Sequence, residues 1–186
     1  MSPTTFAAPI SLAWCDRLLP YAPYATALIA FGALMTAIIA ILTQTRVARR
    51  RAAIDFFLKT DLDEKMLEAH KDFEKALKQL KVHLADGGAV KGFAETNEDT
   101  YRQIWKYLNV HELVAVGIRR KVFDGRVCYN FWGDALVRHA RETEAVIAYE
   151  IETGTPSAYL ELRLLNAKWA RRAQKWREKH AKQKRR

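Results

Sequence analysis

From residue 18 to residue 45 the chain carries no formal charge, and residues 25–42 within that run are almost wholly apolar, with Leu28, Ile29, Phe31, Leu34, Ile38, Ile39, Ile41 and Leu42 among them. A bilayer core about 30 Å thick is crossed by about 20 helical residues. A core helix of a small soluble domain would show a polar face over that length. Here every face is apolar, which predicts a membrane-spanning helix over residues 21–43.

The flanking charges predict its direction. Arg46, Arg49, Arg50 and Arg51 follow the apolar run, whereas the preceding side offers Arg17 next to Asp16. Positive charge marks the cytoplasmic end, so residues 1–20 are expected outside and everything after Arg46 inside. Trp14, Tyr21 and Tyr24 suit the outer interface, and Pro20 and Pro23 suit a first helical turn. A cleavable signal would place its positive charges ahead of a shorter apolar run; the arrangement here is reversed, and the segment is expected to be retained. Ala33, Ala37 and Ala40 are ordinary for such a helix, with a homo-oligomer through that face as the alternative.

About 135 residues remain after the anchor, the size of one domain. Cys15 and Cys128 fall on opposite sides of the predicted span and so cannot pair within one chain. In residues 44–176 apolar side chains recur at helical spacing: Ile54, Phe57 and Leu58, then Leu62, Met66, Phe73, Leu77 and Leu80, separated by Lys, Glu and Asp. Thr60-Asp61 with Glu64 suggests a capping box. The glycines of residues 86–92 predict a loop, and Lys91-Gly92 reverses the order a phosphate loop requires.

A helix is expected from Asn97 to about Arg120, then a turn at Phe123-Asp124-Gly125. One long helix through Ala148 should follow, and a last helix from about Pro156 or Ser157, in which Trp169 and Trp176 read as core residues. No run of period-two alternation appears. The fold class is therefore all-α: one N-terminal transmembrane helix followed by a small cytoplasmic helical bundle.

Residues 168–186 hold ten Lys or Arg against one Glu, and the chain total is +10. With the four juxtamembrane arginines set aside as well, the remainder of the chain is slightly acidic. Arg46, Arg49, Arg50 and Arg51 are explained by topology. Arg171, Arg172, Lys175, Lys179, Lys182, Lys184, Arg185 and Arg186 are not, and residues 177–186 read as a basic tail. Anionic lipid is the favoured partner, because a tethered domain meets lipid phosphate at high effective concentration. A solvated tail and nucleic acid, which Lys and Arg also attract, are the alternatives.

Catalytic patterns are missing. His111-Glu112 lacks the second His one turn on, since position 115 is Ala, and the five histidines show no ligand spacing. No Gly-x-Ser-x-Gly elbow occurs, and Cys128 has no nucleophile signature around it. No cofactor or metal is expected. The most suggestive polar group is Asn109, Glu112, Asp124, Arg138 and Arg141. Glu112 lies in the most apolar helix, and a buried carboxylate needs a partner, for which Arg138 or Arg141 is the candidate. A structural ion pair is the favoured reading; the alternative is a ligand-binding or enzymatic pocket flanked by Trp105, Tyr107 and Trp132.

The stretch from Ile104 to Ile118, with its Tyr107-Leu108-Asn109, Glu112, Ala115 and Gly117-Ile118, is followed by Asp124 and by Pro156-Ser157-Ala158-Tyr159 ahead of Trp169. It resembles a bacterial and phage-associated family of membrane-anchored helical domains, domain of unknown function 4760. The resemblance covers roughly residues 52–176 and extends to the single N-terminal helix; the basic tail lies outside it. It implies a helical fold and a membrane anchor and carries no activity over to any residue. A non-enzymatic interaction protein at the inner face of a bacterial membrane, engaging lipid or an unknown protein partner, is the reading this supports, and phage exclusion or defence would suit such an architecture.

Overall fold

The computed structural model describes residues 21–184, which form seven helices and no strand. The chain divides into two units, residues 1–45 and 46–186. Trp14, expected at the outer interface, Pro20, expected in the first turn, and Cys15 lie outside the described residues.

The first unit holds the apolar part of α1 (Ala22–Leu62). This helix, near the N-terminus, is long and apolar enough to cross a membrane, and none of its most apolar window is buried. The hydroxyls of Thr36, Thr43 and Thr45 donate to the carbonyls of Gly32, Ile39 and Ile41 at 2.8, 2.8 and 2.7 Å. Each hydroxyl is thereby satisfied one turn back within the helix.

The second unit contains the end of α1 and six further helices: α2 (Glu64–Ala85), α3 (Val90–Thr96), α4 (Glu98–Arg119), α5 (Gly125–Glu142), α6 (Glu144–Glu152) and α7 (Leu160–Lys184). Helix α4 is central. It packs on α2, α3 and α7, while α5 packs on α6 and α7. The periodicity explains this: Phe73, Leu77 and Leu80 of α2 and Ile104, Leu108 and Ala115 of α4 recur three, four or seven apart and are all buried. Leu136 of α5, Val146 of α6 and Leu162, Leu165 and Trp169 of α7 complete one core. The last turns of α1 join through aromatic contacts, Phe56 with Phe123 and Phe57 with Phe131 and Trp132, at 5.3, 5.5 and 5.4 Å between ring centres.

Several boundaries differ from those expected. The cap of α2 is Asp63, whose Oδ1 accepts the Lys65 and Met66 N–H groups at 2.8 and 3.3 Å. Thr60 stays inside α1 because its hydroxyl donates to the Phe56 carbonyl. The glycine loop is shorter than residues 86–92, since Val90 and Phe93 are buried and draw Gly92 into α3. Gly88 lies against the His83 imidazole with no room for a Cβ.

The long helix expected through Ala148 breaks at Thr143. Its buried hydroxyl donates to the His139 carbonyl at 2.7 Å, and its φ of −104° departs from helical values. The last helix begins at Leu160, three or four residues later than expected, because Tyr159 takes a left-handed φ of 52°. It then runs through the predicted basic tail to Lys184. Trp169 is 3% exposed, whereas Trp176 is 62% exposed and does not belong to the core.

Replacing the fully buried Leu108 by Ala is expected to cost about 2–5 kcal/mol. The neighbouring Leu113→Ala, at an exposed position, should change stability by less than about 0.5 kcal/mol. Urea unfolding of the two variants in the same detergent checks the contrast.

Candidate functional site: a polar network and a cationic helix

The five residues singled out as a polar group are not brought together. Glu112, on α4, takes its partners from backbone: Oε1 accepts the Glu161 N–H at 3.2 Å and Oε2 the Leu162 N–H at 2.8 Å. It therefore caps α7 from a different helix, where a carboxylate also meets the positive end of the helix dipole. Burial raises its pKa, and the Leu162 hydrogen bond acts against that rise. Beside it, Arg119 of α4 pairs with Glu161. The expected partners Arg138 and Arg141 do not pair with it: Arg138 turns to Glu74 and His139, and a free helix N-terminus already supplies the donors that the carboxylate needs.

Asp124 is the N-cap of α5, accepting from the Arg126 and Val127 N–H groups at 2.9 and 3.1 Å. Burial pushes its carboxyl upward, but those two bonds and Arg50, 3.5 Å away, outweigh it and leave the pKa below the usual value. Arg50 is thus tied to the bundle. The Arg49 carbonyl accepts the Asp124 N–H at 3.3 Å, while Arg46 and Arg51 are exposed. Asn109 is half-buried. Of the aromatic side chains expected to flank a pocket, Tyr107 is buried, Trp132 stacks on His111 and Trp105 is 44% exposed.

The core does contain a polar network, and it is built on histidines. His111 and His139, each 1% exposed, meet with Nε2 of the first 3.1 Å from Nδ1 of the second. His111 Nδ1 lies 3.0 Å from the Tyr107 carbonyl, which can only accept, so this nitrogen carries the proton. His111 Nε2 must then accept from His139 Nδ1–H. That leaves His139 Nε2 as an acceptor for the Arg138 guanidinium at 3.2 Å.

Glu74 of α2 completes the outer end, its Oε1 3.6 Å from Arg138 and 3.4 Å from His139 Nε2. The chain of donors runs from half-exposed Arg138 to a backbone carbonyl in the core, with both rings neutral. Burial holds their pKa values low, His111 at about 3 and His139 at about 4. His70 lies 5.9 Å from the His139 ring, and its buried Nδ1 has no hydrogen-bond partner. Among the described residues no cluster of three or more His, Cys, Asp or Glu side chains is arranged to hold a metal ion.

No motif marks this network in the sequence, although a signal exists. His111 continues the buried spacing of Ile104 and Leu108, and His139 sits between Leu136 and Ala140, so both occupy core positions. Which histidines pair across helices is not encoded in those spacings.

Helix α7 separates charge onto two faces. Lys168, Arg171, Arg172 and Lys175 gather on the outer side and are exposed. Arg172 lies over the Tyr129 ring, 3.9 Å from its centre, which adds a cation–π contact. The spacing continues to Lys179 and Lys182, whose side chains, like that of Lys184 and like Arg185 and Arg186 altogether, lie outside the described set. Arg163, Asn166, Ala170, Ala173 and Arg177 form another face.

Two expected outcomes follow from this geometry. Glu112→Ala removes both caps on α7 and is expected to cost about 1–2 kcal/mol, whereas Glu112→Gln keeps an acceptor oxygen and should cost less; urea unfolding separates them. The depressed histidine pKa values give the pH dependence. Between about 6.5 and about 4 the unfolded chain binds protons that the folded rings refuse, so this stability is present above pH 6.5 and is lost as pH falls. The loss should approach on the order of 1 kcal/mol per pH unit per histidine. A urea midpoint that stays flat from pH 7 to about pH 5 would contradict the neutral assignment.

Comparison with known proteins adds one match. The family model for "Domain of unknown function (DUF4760)" covers residues 27–169, from within the apolar part of α1 to Trp169 on α7. No curated protein and no solved structure matches. The matched span begins earlier than the resemblance read from the motifs and ends sooner, and it too leaves out the basic end of α7. With well over half of its length matched, the chain belongs to the DUF4760 family.

Proposed function

We propose that this protein is a single-pass, non-enzymatic interaction module. In this reading α1 spans a bacterial inner membrane with residues 1–20 outside, and the helical domain works at the cytoplasmic face, where the outer basic side of α7 contacts anionic lipid. The observation that carries the proposal is the unburied apolar window of α1. Leu28, Ile29 and Phe31 are 73%, 73% and 62% exposed. A contiguous apolar surface of this kind is far larger than soluble monomers leave open to water, and a bilayer is the solvent that suits it.

Charge supports the orientation and the lipid contact. Arg46, Arg49, Arg50 and Arg51 all follow the apolar segment and mark the cytoplasmic side. Lys168, Arg171, Arg172 and Lys175 are exposed on one side of α7. Each basic residue near an anionic surface gains about 1 kcal/mol, so even these few would hold the helix to a charged leaflet at moderate salt. The network of Arg138, His139 and His111 serves the core in this reading, since both rings are sealed from solvent.

Alkaline carbonate extraction tests the anchor: the full-length protein should stay with the membrane pellet, and release into the supernatant would sink the reading. Proteoliposomes of the full chain test the lipid contact. Tryptic cleavage at Arg171, Arg172 and Lys175 should be slower in anionic than in neutral bilayers, and high salt should abolish the difference. Protection by added RNA, with none from anionic lipid, would instead make nucleic acid the partner.

A further inference from the structure

The inner face of α7 borders a trough that the membrane reading does not use. Two cavities of about 610 and 400 Å³ share Val137, Arg141 and Arg177 in their walls and so adjoin along α5 and α7, with Ile147 of α6 lining the second. Either volume lies in the range of small-molecule sites. Ala140, Ala170 and Ala173 keep the walls low, which is why close-packed helices leave this space open.

Four arginines line the trough, Arg138 and Arg141 from α5 and Arg163 and Arg177 from α7, against the carboxylates Asp134 and Glu144. Arg138 is committed to Glu74 and His139. The guanidinium groups of Arg141 and Arg163 make no ion pair or hydrogen bond with any described residue, although acidic side chains share the walls. Guanidinium forks presented from two helices favour an anion with several oxygens, such as a phosphate, which can accept two N–H bonds from each fork.

A second observation points to a ligand independently of charge. Asn166 lines the second cavity, and its Oδ1 is buried without a hydrogen-bond partner. An orphaned acceptor is costly unless some donor reaches it, and a turn of the half-buried Asn166 amide toward the cavity lets a bound molecule supply that donor. Trp176, 62% exposed, borders the other end of the trough and offers an indole surface for a planar ring.

We infer that the trough between α5 and α7 binds an organic phosphate bearing an N–H or O–H donor, the chemistry of a nucleotide. Arg141 and Arg163 meet the phosphate, Asn166 accepts from the donor, and Trp176 stacks on the ring. The head group of a phosphoinositide offers phosphate and hydroxyl donors without a planar aromatic ring, and it is the second source of the same chemistry. The site does not depend on lipid contact by the outer face of α7.

Calorimetric titration of the full-length protein in zwitterionic nanodiscs tests this, with guanosine and adenosine triphosphates in one arm and soluble inositol phosphates in the other. Binding in either arm is expected, weakened at least about tenfold by Arg141→Gln or Arg163→Gln and unchanged by Arg120→Gln, which does not line the trough. Asn166→Leu should also weaken binding while raising the melting temperature, because it removes the orphaned carbonyl. That opposite pair of effects separates a ligand contact from damage to the fold. Binding in the nucleotide arm identifies a soluble ligand, and binding in the inositol phosphate arm alone identifies the lipid head group. The inference is overturned if neither arm binds at millimolar concentration. It is equally overturned if binding survives the trough variants and disappears when Arg171, Arg172 and Lys175 are neutralised.

Discussion

The carboxylate of Glu112 fixes where α7 begins, and most of what the second unit offers its surroundings depends on α7. Backbone N–H groups at a helix start have no partners within the helix. Here two of them, on Glu161 and Leu162, are met by a side chain from α4. A shift of one residue in this contact would rotate α7 by about 100°. Leu162, Leu165 and Trp169 would then leave the core, and the trough face and the outer basic face would both be re-aimed. The Arg119–Glu161 ion pair beside the cap holds the same turn from the side.

The histidine network works by a related principle. A polar ring in an apolar interior is tolerated when each nitrogen has a partner, and the directed chain from Arg138 through His139 and His111 to the Tyr107 carbonyl provides one for all four. It ties α4 to α5 where α2 closes over them with Phe73 stacked on Tyr107 at 4.4 Å. Thr143 ends α5 one turn later, its hydroxyl on the His139 carbonyl. The break between α5 and α6 and the position of the histidine are thus parts of one local arrangement. His70, with a buried nitrogen unpaired, is the member of the group that the network does not satisfy.

Much of this was legible in the residues. The uncharged run, the arginines after it, the helical spacing of apolar positions, the turn at Asp124 and the all-helical class follow from local chemistry, because hydrophobic period and capping act over a few residues. The family was legible too, from the stretch around Tyr107, Glu112 and Gly117. The errors lie where competing local signals were close in strength. Thr60-Asp61 and Asp63 all suit a cap, and the choice fell to the residue whose backbone could leave the helix. Trp169 and Trp176 share a spacing, yet the first is 3% exposed and the second 62%.

Pairings across the fold were decided by tertiary structure alone. Residue order and local chemistry are enough to say that a carboxylate in the most apolar helix needs a partner, that the chain carries an apolar segment long enough to span a bilayer, and that basic charge is concentrated in residues 168–186. That the partner is the start of α7, that His111 and His139 meet, and that one helix turns some of its arginines outward and others toward a trough depend on contacts between residues 28 to 50 positions apart. Periodicity reports which face of a helix is buried and carries no information about which helix covers it, so these contacts are settled only when the helices pack.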